Sequence, residues 1–438
     1  LALFYFREGA NYATLYTTNS IVSETITWNE KSNKKTIKAL LVNTKNANTF
    51  TGKKGYDAIE TVAKSLAKNL TLRESKKEEG ISETVKIKDL IFASTGVIGE
   101  TFPVEQVTNG ISDLVSKLRD DQNKLIWIKT ASAIMTTDTK PKLAYEEFTF
   151  NNKIIRIAAI AKGSGMIAPN LATMLSFIFT DADIPSNLLK TLLKKAVANT
   201  FNAITVDSDQ STNDMVSIFS TRKIKIGHSR GVADPVIQKF EIALKNVCLH
   251  LAKQIVVDGE GAKKFITVRV INGKSLTSAK KIAFSVASSP LVKTAIAGED
   301  PNWGRVVMGI GKSGEKVDQN KISIKFGEFI VAENGSPTQN LENEIPNPSA
   351  YAGASENDEF FVRIENSIGY TNHDLKFDAV SKSSVDNVDR DDGVMGNYAL
   401  QLKYNKGKFN NHLTYNKMYS QRNVNETAGT FQRNHTSC

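Results

Sequence analysis

The sequence predicts a mixed fold of helices and strands, of the α/β or α+β class. From residue 1 to about residue 335, short β-branched segments alternate with longer segments of helical apolar spacing. Residues 87–93 and 265–271 have the length and composition of strands. Residues 186–203 and 233–255 place their apolar side chains on one face of a helix. Both helices are therefore expected to pack on a sheet.

Length and composition restrict the kind of protein further. The chain has 438 residues, of which 40% are hydrophobic and 23% are charged, so it can bury a sizeable core. At about 150 residues per domain, this length indicates two or three domains or one large sandwich. No apolar run approaches the ~20 residues of a membrane-spanning helix. We therefore expect a soluble, cytoplasmic protein without a membrane partner.

The cysteines and the charges argue against several functions. Cys248 lies within a helical pattern and Cys438 is the last residue, so neither a disulfide framework nor a zinc site is expected. The formal net charge is +10, but lysine greatly outnumbers arginine and is spread along the chain. This pattern is typical of a solvated surface, and it favours metabolite anions over nucleic acid as partners.

The last part of the chain differs in composition. Residues after Gly335 are polar and rich in asparagine and turn formers, which indicates a boundary near residue 336. Farther on, residues 398–404 and 409–415 are expected to form a hairpin across a turn at 405–408. These strands and that of residues 360–364 have the pattern of exposed meander or barrel strands. Their likeness to hairpins of outer-membrane receptor barrels is weak.

One short segment concentrates the features of a reactive site. Residues 161–174, AKGSGMIAPNLATM, contain Gly163, Gly165 and Pro169 between two apolar, strand-like stretches, which predicts a tight loop. The segment matches neither of the common glycine-rich phosphate-binding patterns, and a plain strand connection is an alternative. Within it, Thr173 follows the small residue Ala172 and is a candidate nucleophile.

A threonine nucleophile needs a base, and histidine is scarce in this chain. Only His228 and His250 precede residue 336, and His250 lies in a predicted helix where a structural role is expected. A Ser-His-Asp or Cys-His site is therefore poorly supported. An N-terminal threonine carries its own base, because an α-amino group has a pKa of ~7.7–8.0 and is partly neutral near neutral pH.

Six segments together carry a specific signal. In chain order they are NTKNANTFTG, STGVIGE, AKGSGMIAPNLATML, ITVDSDQSTND, VVDGEGAKKFITVRV and SSPLVKTAIAGEDPNWGR. In sequence and in order they resemble the ornithine acetyltransferase family of arginine biosynthesis, and the likeness covers roughly residues 1–335. The resemblance implies a layered αββα sandwich of the α+β class, followed here by a polar, hairpin-like tail.

The resemblance also implies a reaction and its partners. The family transfers the acetyl group of N2-acetyl-L-ornithine to L-glutamate by a ping-pong route, and bifunctional members also use acetyl-CoA. It needs no metal, cofactor or prosthetic group. Its precursor cuts itself, here between Ala172 and Thr173, and the two resulting chains assemble as an α2β2 tetramer. The chain would then consist of residues 1–172, residues 173–335 and an atypical Asn-rich tail, 336–438.

The resemblance assigns roles to a few positions. Thr173 is the nucleophile that forms the acetyl-enzyme. The amides of Thr95 and Gly96 form the oxyanion hole, whose donors must point at charge as it develops. Glu260 is the acidic partner of the substrate's amino group. Besides the nucleophile, the implied substrate contacts are Thr136, Lys162 and Glu260.

Other motif residues have structural interpretations. Residues 300–303 are expected to cap a helix and pack an aromatic side chain, and Asn213 and Asp214 are expected to be structural. The family's closing strand, which supplies an Asn and a Ser or Thr to the substrate site, is not found after Gly335. We therefore expect a pocket that is open on one side and binds more weakly. The alternatives are a truncated or chimeric inactive homologue and a self-processing amidase or aminopeptidase.

Overall fold

The computed structural model describes most of the chain up to residue 338 and four strands after it. The described residues are 1–31, 36–77, 84–120, 123–168, 174–227, 230–298, 300–327 and 329–338. After residue 338, the backbone of residues 359–366, 377–384, 394–403 and 412–421 is described. The chain divides into two compact units, Leu1–Val385 and Asp386–Cys438.

The strands of the first unit form two sheets, and those of the second unit form one antiparallel pair. In chain order the strands are β1 (Ala2–Tyr16), β2 (Thr36–Asn43), β3 (Leu90–Ser94), β4 (Lys142–Phe150), β5 (Lys153–Lys162), β6 (Leu175–Ala182), β7 (Ile204–Thr205), β8 (Met215–Ile224), β9 (Ala262–Ile271), β10 (Ile322–Phe326), β11 (Phe329–Glu333), β12 (Ser336–Pro337), β13 (Glu359–Asn366), β14 (Phe377–Ser384), β15 (Val394–Lys403) and β16 (His412–Gln421).

The helices lie in the first unit. In chain order they are α1 (Glu24–Lys31), α2 (Gly52–Lys77), α3 (Val104–Ser116), α4 (Lys124–Ala133), α5 (Ser186–Ala198), α6 (Pro235–Val257), α7 (Leu276–Ala287), α8 (Pro290–Ala297) and α9 (Trp303–Gly311). No helix in the described part of the chain combines the length and the apolar character that crossing a membrane requires.

The first sheet has the strand order β3-β2-β1-β8-β6-β5-β4. The pairs β2–β3 and β6–β8 are parallel, and the other neighbours are antiparallel. The long strand β1 pairs with β2 and β8 and has an irregularity between Tyr5 and Ala10. An irregularity of this kind bends a strand. Leu40, Phe177 and Phe219, from β2, β6 and β8, belong to one buried cluster, so both parts of the sheet share a core.

Helices pack against this sheet as the sequence predicted. Leu192 of α5 and Phe240 of α6 are buried with Ile157 and Ile178 of the sheet, while α2 and α3 pack near β2 and β3 in a separate cluster. Helix α5 ends at Ala198 instead of at the predicted residue 203, since residues 201–203 form a separate helical turn. Helix α6 and strand β9 confirm the predicted elements at 233–255 and 265–271 to within a few residues.

The second sheet has the order β12-β11-β10-β13-β9-β14-β7. Val286 of α7, Val306 of α9, Val268 of β9 and Ile324 of β10 are buried in its main cluster. Helices therefore pack on both sheets, and the α+β sandwich class is confirmed.

Strand β13 corrects one expectation. It lies inside the second sheet, antiparallel to β10 and parallel to β9, whereas the sequence pattern of residues 360–364 indicated an exposed meander or barrel strand. Alternation with a period of two identifies a strand but does not determine its neighbours, which come from distant parts of the chain. The first unit extends to Val385, so the change of composition near residue 336 lies within it.

The second unit contains the predicted pairing of the tail. Strands β15 and β16 are antiparallel, with Leu402 opposite Leu413 and Leu400 opposite Tyr415. The predicted hairpin is confirmed as a strand pair, but its register differs by two residues from that of a turn at 405–408. An even shift keeps each residue on its predicted face of the strand. Residues 404–411, which include the predicted turn, lie outside the described part of the chain.

Candidate active site

Residues 95 and 96 form a turn directly after β3. Thr95 is buried, and its N–H donates to the carbonyl oxygen of Asn43 at 3.1 Å. Gly96 has a φ of +135°, and a Cβ at this position would lie 2.1 Å from the carbonyl carbon of Lys45. Glycine is therefore required here on both conformational and steric grounds. The turn is fixed tightly against the residues that follow β2.

The donor that Thr95 can offer differs from the expected one. We expected its amide in the oxyanion hole, but that N–H is already used by Asn43. The Thr95 hydroxyl donates to no residue in the described part of the chain. The hydroxyl is therefore the group of Thr95 that is available to a developing oxyanion.

The side chain of Asn213 forms hydrogen bonds to the backbone next to this turn. Its Nδ2 donates to the carbonyl oxygens of Ala47 at 2.6 Å and Ser94 at 2.9 Å. Its Oδ1 accepts the hydroxyls of Thr49 at 2.7 Å and Thr212 at 2.6 Å. Since Ser94 immediately precedes Thr95, Asn213 fixes the backbone that enters the turn. These contacts agree with the expected structural role.

Lys162 ends β5 as a buried ammonium group. It is 2% exposed, and its Nζ donates to the hydroxyl of Thr136 at 3.2 Å. Burial lowers the pKa of Lys162, while the carboxylates of Asp138 and Asp214 oppose that shift. The structure thus brings two of the predicted substrate contacts, Thr136 and Lys162, together.

Asp214, like Asp138, is a buried carboxyl group near Lys162. Its Oδ1 accepts the N–H of Met174 at 2.8 Å. Its Oδ2 is also buried. Burial raises the pKa of Asp214 well above its usual value, and the Met174 N–H and the Lys162 charge oppose this shift. Asp214 therefore fixes the chain just before β6.

The predicted cleavage site lies outside the described residues. These omit 169–173, which include Ala172 and Thr173, and the described chain resumes at Met174. In the β5–β6 ladder, Lys162 is opposite Leu175. In sequence, Thr173 therefore comes two residues before Leu175, the strand partner of Lys162. The role of Thr173 remains a prediction.

Glu260 lies against the loop that follows Lys162. Its N–H donates to the carbonyl oxygen of Ser164 at 3.0 Å. A Cβ at Gly165 would lie 2.6 Å from the Glu260 carboxyl carbon. The absence of a side chain at 165 therefore lets this carboxyl group lie directly against the backbone, and a Cβ there would displace it. Glu260 is exposed, so its carboxylate is accessible to a ligand.

Three charged residues that the sequence did not single out lie beside these contacts. Lys142 Nζ is 2.6 Å from Asp138 Oδ1 and 2.6 Å from Asp258 Oδ2. Burial would raise the pKa of Asp138, but the charges of Lys142 and Lys162 and the N–H of Gly163 outweigh it, so this pKa is lowered. Residue type alone indicates surface positions for such residues. The sequence could have drawn attention to the two aspartates, because Asp138 is two residues after Thr136 and Asp258 is two residues before Glu260.

The remaining motif residues are structural. The side chain of Asn302 caps α9 by accepting the N–H of Arg305 at 3.2 Å. Trp303 packs against the main cluster of the second sheet. Both observations confirm the capping and packing interpretation of residues 300–303. His250 lies in α6, as predicted, and His228 is outside the described residues.

Comparison with known proteins identifies relatives over most of the chain. The arginine biosynthesis bifunctional protein ArgJ of Gluconobacter oxydans is 42% identical over 343 residues, which are 78% of this chain and 77% of that protein. The protein of the same name from Caulobacter vibrioides is 40% identical over 373 residues, 84% of this chain and 87% of that protein.

A solved structure is also similar. The crystal structure of the arginine biosynthesis bifunctional protein argJ from Bacillus halodurans is 35% identical, with a TM-score of 0.43, and the match covers 49% of this chain and 96% of that chain.

The family match extends farther than the sequence motifs did. The model of the ArgJ family matches residues 1–381, whereas the resemblance covered roughly residues 1–335. The match therefore includes β13 and most of β14, which complete the second sheet. The chain belongs to the ArgJ family, and the resemblance drawn from its sequence is confirmed.

Proposed function

We propose that this protein transfers the acetyl group of N2-acetyl-L-ornithine to L-glutamate through an acetyl ester on Thr173. Membership of the ArgJ family makes it an acetyltransferase of arginine biosynthesis. The observation that carries the residue assignment is the hydrogen bond from the Met174 N–H to the buried Asp214. It fixes the residue after Thr173 close to Lys162, whose strand partner is Leu175.

Self-cleavage is the first step of the proposed mechanism. The Thr173 hydroxyl attacks the carbonyl carbon of Ala172, and the peptide nitrogen leaves as the α-amino group of Thr173. Water then hydrolyses the ester, so that Ala172 ends in a carboxylate and the hydroxyl is restored. The new amino group has a pKa suited to accepting a proton near neutral pH. One residue thus supplies both the nucleophile and its base.

Acetyl transfer follows by two attacks on an acetyl carbonyl. The Thr173 hydroxyl attacks the acetyl group of N-acetylornithine and gives its proton to the α-amino group. The oxyanion that forms is stabilised by two donors, the Thr95 hydroxyl and the Gly96 N–H. Collapse releases ornithine, whose leaving nitrogen takes the proton, and the acetyl ester remains. The amino group of glutamate then attacks this ester and restores Thr173.

Substrate binding is assigned to groups of opposite charge. The buried ammonium of Lys162 suits the carboxylate of an amino acid, and Thr136 lies within hydrogen-bond distance of it. The accessible carboxylate of Glu260 suits the side-chain amine of ornithine. Lys162 and Thr136 can hold the α-carboxylate of either amino-acid substrate in turn, as a ping-pong reaction requires, whereas Glu260 contacts only the distal amine of ornithine.

The proposal extends to a second donor, to assembly and to location. The relatives are named bifunctional, and acetyl-CoA is the second donor that we propose. An α2β2 tetramer of the cleaved chains and a cytoplasmic location are supported by the family resemblance. Neither nucleic acid nor a membrane is a proposed partner.

Replacement of the nucleophile tests the whole proposal. Native protein with N-acetylornithine and glutamate is expected to produce N-acetylglutamate and ornithine in equal amounts. Thr173→Ala should remain one uncut chain without turnover, because both steps need the hydroxyl. Mass spectrometry and chromatographic product analysis measure the two effects.

Thr173→Ser is the matched control and should retain part of each activity. Normal cleavage of Thr173→Ala would contradict the assignment. Release of free acetate with unmodified glutamate would identify an amidase instead, and an uncut, inactive native chain would identify an inactive homologue.

The Thr95 hydroxyl gives a second prediction. Thr95→Val removes the hydroxyl at nearly constant shape and is expected to lower kcat by about 10²–10³, the usual effect of losing one oxyanion donor. KM should change little, since the hydroxyl acts on charge that develops during the reaction. Steady-state kinetics on cleaved protein measures both constants. Thr95→Ser should keep most of kcat, and an equal loss in the two variants would count against the hydroxyl.

Lys162 gives a prediction with a pH dependence. Lys162→Ala is expected to raise the KM for N-acetylornithine about 10- to 100-fold with cleavage intact, since a hydrogen bond to a charged group contributes about 1.5–3 kcal/mol. Burial lowers the pKa of Lys162, so its charge is lost at a lower pH than the ~10.4 of an exposed lysine. With increasing pH, the KM of native protein should therefore begin to rise before the pH reaches the pKa of an exposed lysine.

Steady-state kinetics as a function of pH tests this role, and the alkaline rise should be absent from Lys162→Ala. Lys153→Ala is the matched control, because Lys153 begins the same strand, is exposed, and donates to the carbonyl oxygen of Lys225 at 2.9 Å. Its KM should match that of native protein. An unchanged KM in Lys162→Ala would exclude the proposed contact.

A further inference from the structure

Lys142, Asp138 and Asp258 form a buried triad that the proposed reaction does not use. Lys142 Nζ lies 2.6 Å from a carboxylate oxygen of each aspartate, and the three side chains are at most 6% exposed. Replacing buried ion pairs by apolar side chains of similar shape is often neutral or stabilising. Stability alone is therefore a weak explanation for this triad.

Asp138 connects the two segments that carry Thr136 and Lys162. Its Oδ1 accepts the N–H of Gly163, the residue after Lys162, at 2.6 Å. Its Oδ2 accepts the N–H of Thr136 at 3.1 Å. One carboxylate thus sets the separation of the two backbones, and the side chains of Thr136 and Lys162 meet at 3.2 Å.

Asp258 extends the same network towards Glu260. It follows the last residue of α6 and accepts the N–H of Thr139 at 3.0 Å as well as the Thr139 hydroxyl. Glu260 comes two residues later and donates its N–H to the carbonyl oxygen of Ser164 at 3.0 Å. Lys142 therefore links the segment of residues 136–140 to the turn that carries Glu260.

We propose that Lys142 is a positioning residue that, with Asp138 and Asp258, fixes the spacing between Lys162 and Glu260. The spacing selects acetyl donors whose carboxylate and distal amine fit between those two groups. This inference rests on the proposed function, because it takes Lys162 and Glu260 as substrate contacts. Lys142 is 1% exposed, so it acts through its partners and does not contact the substrate.

The test compares Lys142→Met with a matched lysine variant. Lys225→Met is the control, because Lys225 Nζ also lies 2.6 Å from a carboxylate, that of Asp183, but its side chain is 78% exposed. Lys142→Met is expected to raise the KM for N-acetylornithine about 10- to 100-fold, as small misplacements of binding groups do, with little change in kcat and with self-cleavage intact. Lys225→Met should leave KM unchanged.

A second measurement needs no substrate. In native protein the Gly163 N–H is held by Asp138, so hydrogen exchange in a peptide of residues 160–168 should be slow. Lys142→Met should accelerate that exchange, because Asp138 loses its cation. The double variant Lys142→Met/Asp258→Asn removes the excess buried negative charge and should recover part of the KM and of the protection. It also provides the comparison if Lys142→Met does not fold.

The outcomes separate this inference from the proposed function. An unchanged KM and unchanged exchange in a cleaved Lys142→Met protein would overturn the inference. The inference would also be overturned if the double variant had the same KM and the same exchange as native protein. If native protein transfers no acetyl group, the proposed function fails, but faster exchange in Lys142→Met would still support the positioning of Gly163 by the triad.

Discussion

Charge balance in the interior is the constraint on which the candidate site depends. Lys142 and Lys162 are 1% and 2% exposed, and Asp214 is fully buried. Ions removed from water are strongly unfavourable unless they are paired and hydrogen-bonded. Lys142 is paired with Asp138 and Asp258, and Lys162 interacts with Asp138 and Asp214. The loops that carry these residues must stay together, so the pairing that keeps the ions buried also orders the site.

Two consecutive residues connect the parts of the site that perform different tasks. Asn213 holds Ser94, immediately before the oxyanion turn, and Asp214 holds Met174, immediately after the proposed nucleophile. Because Asn213 and Asp214 are joined by one peptide bond, the same short segment positions both the proposed oxyanion donor and the residue after the proposed nucleophile. Such preorganisation lets fixed dipoles act on developing charge without moving during the reaction.

The sequence predicted local features well and distant pairings poorly. Helix α6 and strand β9 followed from apolar spacing, and Lys162 and Glu260 were proposed as substrate contacts through motifs that occur in the family's order. The triad of Lys142 was missed because only Asp138 is near Lys142 in sequence, whereas Asp258 is 116 positions away and no local pattern joins it to the other two. Strand β13 was recognised as a strand, but its place between β10 and β9 depends on long-range pairing. Likewise, a motif could not show that Asn43 already uses the Thr95 amide.

Covalent transfer through Thr173 is tested most directly by the masses of native protein after incubation with N-acetylornithine alone. Two polypeptides divided before Thr173 are expected, and the second should be heavier by one acetyl group. Fragmentation should place that group on Thr173, and addition of glutamate should remove it. An uncut chain, or an acetyl group on another residue, would contradict the mechanism.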